Sequence, residues 1–274
     1  MLRGFYTATN GMLAQQKRMD VLSNNMTNVM TPGYKADQAS LRAFPELLIQ
    51  RMENHELPVT SDRRVGTSTT IGSINTGVYV QEAIPNFVQS SLRETGVATD
   101  FALVQGETPD ENGMLFFTVE NEEGETRYMR NGNFTVDGAG YLTTNHGHYV
   151  LDTAGNRIQT NGLDFELTPA GMVQFPGGQA ALSLPYTTVT PECLQILEKK
   201  FELGEEAAGP ADARTVAGLQ YNVQQGFLEN SNVDPGQTMT EMMSAYRTFE
   251  MNQKVLQAYD RNMDKAVNDI AKLG

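Results

Sequence analysis

The sequence predicts an α+β fold in which long N- and C-terminal helices pair as a coiled coil. Between them we expect an inserted all-β middle domain, an antiparallel sandwich or barrel-like structure. Apolar residues recur every seven positions near both ends, the pattern of a helix that lies along another helix. The period changes to two in the middle, where turns rich in Gly, Asn and Asp separate short strand-like runs.

The N-terminal helix is predicted from two rows of residues spaced by seven. These rows are Phe5, Met12, Met19 and Met26, and, three residues after each, Ala8, Gln15, Leu22 and Val29. The helix is expected to end at Thr31-Pro32-Gly33, because proline cannot continue a helix and glycine permits a turn.

The C-terminal helix has the same period over five repeats. Its rows are Met242, Phe249, Leu256, Met263 and Ile270, and Ala245, Asn252, Tyr259, Ala266 and Leu273. Asp234-Pro235-Gly236-Gln237 opens the helix with a capping side chain and a proline at the first position. A helix from there to the last row would be ~57 Å long at ~1.5 Å per residue. We call the two rows of each helix its seam. The less favoured alternative is two core helices of an ordinary globular protein, since heptads of this length also occur in helix bundles.

The region between the helices is predicted in segments. Residues 36–56 are expected to form a bend and a short helix beginning at Pro45, and residues 57–75 an extended linker or a long exposed hairpin. Strands are predicted at 78–81, 100–105, 114–120, 127–130, 134–136, 141–144, 149–151, 163–167, 172–175, 181–184 and 194–198. The predicted domains are the N-terminal helix and turn (1–35), a connector (36–76), the all-β domain (77–218), and a return strand with the C-terminal helix (219–274).

Charge and composition restrict the partners. The net charge is −13, and residues 51–233 carry 10 basic and 24 acidic groups, so the two ends are nearly neutral. Near-neutral ends suit burial in an assembly, and an acidic middle disfavours a nucleic-acid partner. No apolar run reaches the ~18 residues that a membrane span requires, so no membrane insertion is expected. The single cysteine, Cys193, excludes an internal disulfide.

Catalytic and metal-binding signatures are weak. His146-Gly147-His148 falls in a predicted turn without the further ligands that a zinc site needs. The seven carboxylates between Glu107 and Glu125 lack EF-hand spacing and suit a solvated loop. No phosphate-binding loop or nucleophile elbow occurs. We therefore predict a protein that is not an enzyme and has no cofactor or metal.

Several motifs resemble one family. Residues 22–35 read LSNNMTNVMTPGYK and resemble the "ANNLANVNTxGFK" signature of bacterial flagellar rod and hook proteins. Residues 225–233 (QGFLENSNV) are similar to "QGYLExSNV", and residues 128–134 (YMRNGNF) to "YTRDGxF". Residues 241–255 resemble the C-terminal helix signature of the same family. These matches follow each other in order over nearly the whole chain. The size is most similar to the distal-rod type of subunit, of Gram-positive type.

Two segments depart from the family pattern. Residues 107–113 intervene before the strand that starts at Met114, and Asp234-Pro235-Gly236 replaces a more apolar start of the C-terminal helix. Neither departure affects the seams.

The resemblance implies a structural subunit of the flagellar basal-body rod. Such a subunit would polymerise through its terminal helices into the tubular drive shaft and would be exported by the flagellar type III apparatus without a cleaved signal peptide. Its partners would be copies of itself, other rod and hook subunits and the export apparatus, and its location the flagellar basal body. The alternative is a surface-binding, adhesin-like β domain on an oligomerising helical stalk.

The expected assembly interface follows the seams. Its residues are Phe5, Met12, Met19, Leu22, Asn24, Asn25, Met26, Asn28, Met242, Phe249, Asn252, Leu256, Tyr259 and Met263. Asn252 is polar, and a polar seam residue can fix the register between helices. The asparagines near residue 25 have two interpretations, which the sequence leaves open: bonds to the backbone at the helix end, or hydrogen bonds between subunits.

Overall fold

The computed structural model describes residues 2–56, 64–110, 113–162, 164–188, 194–197, 200–203 and 211–271. Long helices lie near both ends of the chain, α1 at Leu2–Thr27 and α2 at Pro235–Ala271. Short strands occupy the region between them, so the predicted α+β class is confirmed. Proline stands at the first position of α2, where its missing N–H has no helical partner to lose.

The first four strands have seven to eleven residues, and the other described strands have two to five. In chain order they are β1 (Asp37–Ala43), β2 (Leu47–Glu56), β3 (Arg64–Ile74), β4 (Val78–Pro85), β5 (Leu92–Glu94), β6 (Phe101–Gln105), β7 (Gly113–Leu115), β8 (Phe117–Glu120), β9 (Thr126–Met129), β10 (Phe134–Val136), β11 (Leu142–Thr144), β12 (Tyr149–Val150), β13 (Glu166–Leu167), β14 (Met172–Phe175), β15 (Gly178–Ala181), β16 (Pro185–Thr188), β17 (Leu194–Leu197), β18 (Lys200–Leu203), β19 (Ala211–Asp212), β20 (Tyr221–Gln225) and β21 (Phe227–Glu229). Within the described residues, one 3-10 turn covers Ala213–Thr215.

The described strands form several small sheets. The largest has seven strands in the order β10-β11-β12-β8-β9-β18-β17, and two others have three, β13-β14-β15 and β19-β16-β7. Strand pairs β1-β4, β2-β3, β20-β6 and β21-β5 complete the set. These sheets are open, so the barrel-like form predicted from the sequence is not confirmed. The physical reason is that the strands from β5 to β21, which have two to five residues each, divide among five separate sheets, so no continuous sheet of described strands closes on itself.

One five-residue turn occurs five times. It begins at Asn121, Asp137, Thr144, Asp152 and Thr168. The N–H of the first residue donates to the carbonyl of the fifth at 2.8–3.0 Å. The side-chain oxygen of the first residue accepts from the N–H of the fifth at 2.7–3.1 Å. A glycine with φ between 78° and 84° fills the fourth place in each turn, because that left-handed conformation strains other residues. Three of these turns were predicted from their Gly, Asn and Asp residues.

The main hydrophobic core lies between residues 101 and 223. Phe134 is at its centre: its ring meets that of Phe101 at 5.5 Å and that of Phe117 at 5.2 Å, both edge to face. All three side chains are at most 2% exposed. Fully burying a side chain of this size is worth roughly 1.5–3 kcal/mol, so this core can hold the short sheets together.

The predicted short helix within residues 36–56 is wrong. Residues 37–43 and 47–56 are strands, and β2 pairs with β3 from Leu47↔Ile74 to Glu56↔Arg64. Leu47 and Leu48 are more than half exposed, so they bury no helical face. The partner strand β3 is rich in threonine, which favours an extended chain. Residues 64–74 are extended, as both interpretations of the segment 57–75 required, but they pair with residues 47–56 and not within that segment.

Two strand predictions also need correction. The run 114–120 is divided at Phe116, whose N–H donates to Pro185 while β7 and β8 join different sheets. Residues 182–184 are not a strand, because β15 ends at Ala181 and the next strand begins at Pro185. Expectations for Cys193, Glu111, Leu273 and the segment 57–63 lie outside the described residues.

The chain divides into two compact units. The first, here called the helical unit, comprises residues 1–24, 38–84 and 236–274. The second, the β-rich unit, comprises residues 25–37 and 85–235, and the division falls inside α1. Throughout the described ranges, neither helix has the length and apolar character needed to cross a membrane.

Candidate assembly interface and buried ion network

Both long helices contact each other inside the helical unit. A Cβ added to Gly4 would collide with the ring of Tyr259, and one added to Gly11 would lie 3.0 Å from Nδ2 of Asn252. Further along α1, Arg18 forms a 3.1 Å ion pair with Glu241. Along these three contacts the residue numbers rise on α1 and fall on α2. The two helices are therefore antiparallel.

The predicted seams lie on the less exposed face of each helix. On α1, Leu22 is buried, and Phe5, Met12, Met19 and Met26 are half-buried. On α2 the half-buried residues are Met242, Phe249, Asn252, Leu256, Tyr259 and Met263. Ala8 and Ala245, also seam residues, are buried. The seam residues therefore share the side on which the two helices meet. Coiled-coil packing and the role of these residues in assembly stay predictions.

The asparagines near the end of α1 have different environments. Asn25 is 4% exposed and bonds to both backbone groups of Asp37: it donates to the carbonyl at 2.8 Å and accepts from the N–H at 2.9 Å. It also accepts from the Tyr34 hydroxyl at 3.0 Å. Asn28 is buried and accepts from Thr31 at 3.4 Å, whereas Asn24 is exposed. Asn25 thus bonds within the chain and attaches the start of β1 to the end of α1.

Burial changes the ionisation of two groups beside Asn25. It raises the pKa of Tyr34 to about 12, with a further rise from the nearby Asp37 carboxylate. It also raises the pKa of the Asp37 carboxyl. Both shifts have the same cause, because removing water disfavours the charged form of an acid.

A buried ion network lies in the β-rich unit. It consists of Lys35, Arg130 and Glu229, and each of these side chains is at most 2% exposed. Nζ of Lys35 lies 2.6 Å from Oε1 of Glu229, and Nε of Arg130 lies 2.6 Å from Oε2. The N–H of Ser90 donates to Oε1 at 3.0 Å. One carboxylate therefore serves two cations, and the network has a net charge of +1.

Backbone carbonyls accept further hydrogen bonds from the two cations, as does Oε1 of Gln105, to which Arg130 donates at 3.2 Å. Arg130 donates to Leu115 at 2.6 Å and to Leu103 at 2.8 Å, and Lys35 donates to Val88 at 2.9 Å. These bonds matter because a buried cation without partners costs several kcal/mol.

The pKa shifts follow from this charge balance. Burial alone would raise the pKa of Glu229, but the charges of Arg130 and Lys35 hold it below its usual value. Burial lowers the pKa of Lys35, and the Glu229 charge only partly opposes this because Arg130 adds a repulsion. The two pKa shifts are compatible. Two cations stabilise the charged form of Glu229, whereas Lys35 has one anion as a partner and shares it with Arg130.

The turn after α1 fits closely against this network. The N–H of Gly33 donates to the carbonyl of Glu229 at 2.8 Å, and a Cβ at Gly33 would lie 2.7 Å from the backbone of Arg130. Its φ of 70° also requires glycine. Next to it, the N–H of Ala36 donates to Oδ1 of Asn232 at 2.6 Å. The segment that follows α1 is thus bonded to the segment that precedes α2.

Sequence reasoning missed the ion network. Its three residues stand in three of the motifs that carry the family resemblance: Lys35 ends LSNNMTNVMTPGYK, Arg130 lies in YMRNGNF and Glu229 in QGFLENSNV. Two basic residues and one acidic residue within such motifs were the available signal. Neither spacing nor period could show that they meet.

Comparisons with known proteins identify the family. The family model "Flagella basal body rod protein" matches residues 5–35, "Flagellar hook protein FlgE/F/G D1 domain" matches 112–175, and "Flagellar basal body rod FlgEFG protein C-terminal" matches 224–269. Over its full length the chain is 41% identical to the flagellar hook-basal body complex protein FlhO of Bacillus subtilis, all of which is covered. The chain belongs to the flagellar basal-body rod protein family. It is also 31% identical to the rod protein FlgG of Agrobacterium fabrum, over 94% of this chain and 96% of that protein.

A second FlgG, from Bacillus subtilis, is 28% identical over 98% of this chain and 99% of that protein. Rod and hook families of this kind are structural and non-enzymatic, so this rod-family chain is a structural protein of the flagellar basal body. Each of the three matched segments contributes one residue of the ion network: Lys35, Arg130 and Glu229. Within the described residues, no cluster of three or more potential metal ligands occurs.

Proposed function

We propose that this rod-family chain polymerises into the flagellar rod through α1 and α2. In this proposal the subunit is exported by the flagellar type III apparatus. Its partners are further copies of itself and other rod and hook subunits. The terminal helices form the axial part of the assembly and the acidic middle of the chain the outer part.

The observation that carries the proposal is the apolar surface that the helices leave uncovered. Most seam residues are half-buried, and few apolar side chains of the two helices are fully buried. Of sixteen exposed large hydrophobic residues in the described chain, eight lie on these helices. They are Tyr6, Leu13, Met239, Met243, Tyr246, Met251, Val255 and Val267. Exposed apolar surface on this scale is typical of an interaction site.

Polymerisation follows from the hydrophobic effect. Covering apolar surface contributes roughly 25 cal/mol per Å² removed from water, so the helices gain stability as neighbouring copies cover them. Isolated helices are weakly stable in water and depend on packing. Contacts between different patches on successive copies do not close on themselves, and they propagate as a helical array.

The ion network supports the same proposal. It joins the segment after α1 to the segment before α2, through Lys35 and Glu229. The segment that follows α1 is therefore bonded to the segment that precedes α2. This arrangement suits a subunit whose two termini assemble together.

Mass spectrometry of purified hook–basal bodies from the source organism tests the proposal. We expect this chain there at several copies per structure. Its absence from these particles, combined with its presence on the cell surface or in the medium, would overturn the rod assignment. A strain that lacks the chain is the matched control for carry-over.

A further inference from the structure

We propose that Asn161 is a site of spontaneous deamidation, at which the folded chain converts a side-chain amide into aspartate and isoaspartate. Asparagine is one of the chemically labile residues of proteins. It is most labile before glycine, because no side chain then hinders attack by the following backbone nitrogen. Four asparagines precede a glycine in this chain, at positions 10, 112, 131 and 161. The structure singles out the last of them.

The reaction needs water and no other reactant. The backbone nitrogen of Gly162 loses its proton and attacks Cγ of Asn161. This step forms the C–N bond of a cyclic succinimide and releases the side-chain nitrogen as ammonia. Water then opens the ring. Cleavage of the bond to Cγ gives aspartate, and cleavage of the bond to the backbone carbonyl carbon gives isoaspartate. Nothing is oxidised or reduced.

Neither reacting group is held by a hydrogen bond among the described residues. Asn161 is exposed, and its side-chain amide has no hydrogen-bond partner in that part of the chain. The N–H of Gly162 has none there either. A Cβ added to Gly162 would find no atom within 4 Å, so the surroundings are open. The nitrogen and the carbon that must join are therefore free to approach each other.

The backbone explains why a labile residue occupies this position. Among the described residues, Asn161 is the one non-glycine residue with a positive φ, 56°. Asparagine tolerates this left-handed conformation better than most residues. Its N–H donates to the carbonyl of Gly140 at 3.2 Å, and a Cβ at Gly140 would lie 2.9 Å from Cα of Asn161. Close packing on the Gly140 turn thus fixes the conformation that favours asparagine.

The fold protects a second Asn-Gly pair, Asn131-Gly132. The N–H of Asn133 donates to Oδ1 of Asn131 at 3.0 Å, which holds the side chain in place. Gly132 is buried, and a Cβ there would collide with the carbonyl oxygen of Phe101. Attack on the side chain of Asn131 would break the first contact and move a buried segment.

A third pair, Asn10-Gly11, is protected in another way. It lies inside α1, where the glycine N–H belongs to the hydrogen-bond ladder of the helix. Nδ2 of Asn10 also donates to the carbonyl of Thr76 at 3.3 Å. The remaining asparagine, Asn112, lies outside the described residues.

Deamidation would change the β-rich unit in two ways. Each event adds one negative charge to residues 51–233, which already carry 24 acidic and 10 basic groups. Isoaspartate also adds one carbon to the main chain between Asn161 and Gly162. This change falls directly beside the contact with Gly140.

Peptide mapping of the aged full chain tests the proposal. The purified chain is incubated in neutral and in mildly alkaline buffer, and samples are digested at acidic pH, where the reaction is slow. Mass spectrometry detects the replacement of the amide by a hydroxyl, and electron-transfer fragmentation separates isoaspartate from aspartate. Asn161→Asp supplies the reference peptide. We expect both products at residue 161 well before any at Asn131 or Asn10. The rate should rise with the hydroxide concentration, because the attacking nitrogen must lose its proton.

The same chain unfolded in guanidinium chloride is the matched control. Without the fold, the asparagines at 10, 131 and 161 have the same following residue and should react at similar rates. If Asn161 stays intact in the folded chain while it reacts in the unfolded chain, the proposal is overturned. Equal rates at Asn161 and Asn131 in the folded chain would also overturn it, because these contacts would then not control the reaction.

Discussion

Nζ of Lys35 lies 2.6 Å from Oε1 of Glu229, and both side chains are almost completely buried. The second oxygen of Glu229 binds Arg130 at the same distance. Burying ions costs about as much as their attraction returns, so such a network adds little net stability over an apolar core. The network instead favours one arrangement of the chain, because its three side chains meet only when the segments that carry them are correctly placed.

Replacing the shared carboxylate should destabilise the chain strongly. Glu229→Gln keeps the size of the side chain but leaves two buried cations without a counter-charge, and we expect a loss of about 3–5 kcal/mol in the free energy of unfolding. Urea denaturation measures it. Glu125→Gln is the control, because Glu125 also pairs with an arginine, Arg127, but is exposed, and its midpoint should not move. An unchanged midpoint for Glu229→Gln would show that the network is not needed.

The free energy of unfolding should decrease in acid, because the Glu229 carboxylate becomes protonated. The pKa of Glu229 is lower in the folded chain than its usual 4.5. Its stabilising contribution is therefore complete above pH 4.5 and is lost as the pH falls through the folded-state pKa. The free energy of unfolding, measured by urea titration at several pH values below 5, should decrease with a steeper slope in the natural chain than in Glu229→Gln. Equal slopes would contradict the assignment.

The period of the sequence was enough to predict the helix faces. A seven-residue repeat places Phe249, Leu256 and Met263 on one side of any α-helix, and in the structure all three are half-buried, whereas Met251, Val255 and Val267 are exposed. Local turn chemistry was predictable for the same reason, since Asp137 and Gly140 act within five residues. Helix faces and turns can be predicted because both depend on residues that are close in sequence.

Long-range relationships were not predictable from spacing. Lys35 and Glu229 are 194 positions apart, and nothing in their local sequence shows that either will be buried. The hairpin of β2 and β3 was misread as a helix followed by a linker or hairpin, because β2 is extended only through its pairing with β3. In both cases the local structure depends on a partner that lies elsewhere in the chain: Glu229 for Lys35, and β3 for β2.

The role of Asn25 can be measured directly. Asn25→Ala removes three hydrogen bonds, one from the buried Tyr34 hydroxyl and two with the backbone of Asp37, so we expect a loss of about 2–3 kcal/mol in the monomer. Asn24→Ala, on the exposed side of α1, should stay within about 0.5 kcal/mol. Thermal unfolding of dilute monomer distinguishes the two. If Asn25→Ala impairs assembly at unchanged monomer stability, the intersubunit interpretation is correct.

Acidic residues in the seam should prevent assembly without unfolding the β-rich unit. The double variant Phe249→Asp and Leu256→Asp places two charges on the half-buried face of α2. An unpaired charge in an apolar contact is unfavourable enough to separate helices held mainly by such contacts. No residue of the core between 101 and 223 is changed, so hydrogen exchange of that core should match the natural chain.

Gln253→Asp with Gln257→Asp is the matched control for the seam variant. These residues are exposed on the same helix, are four residues apart and gain the same negative charge. We expect loss of motility and of the subunit from hook–basal bodies in the seam variant, and swimming in the control. The direction of the effect follows from burial, because a charge on the exposed face keeps its water whereas one in the seam loses it. Normal swimming of the seam variant would show that polymerisation does not depend on this face.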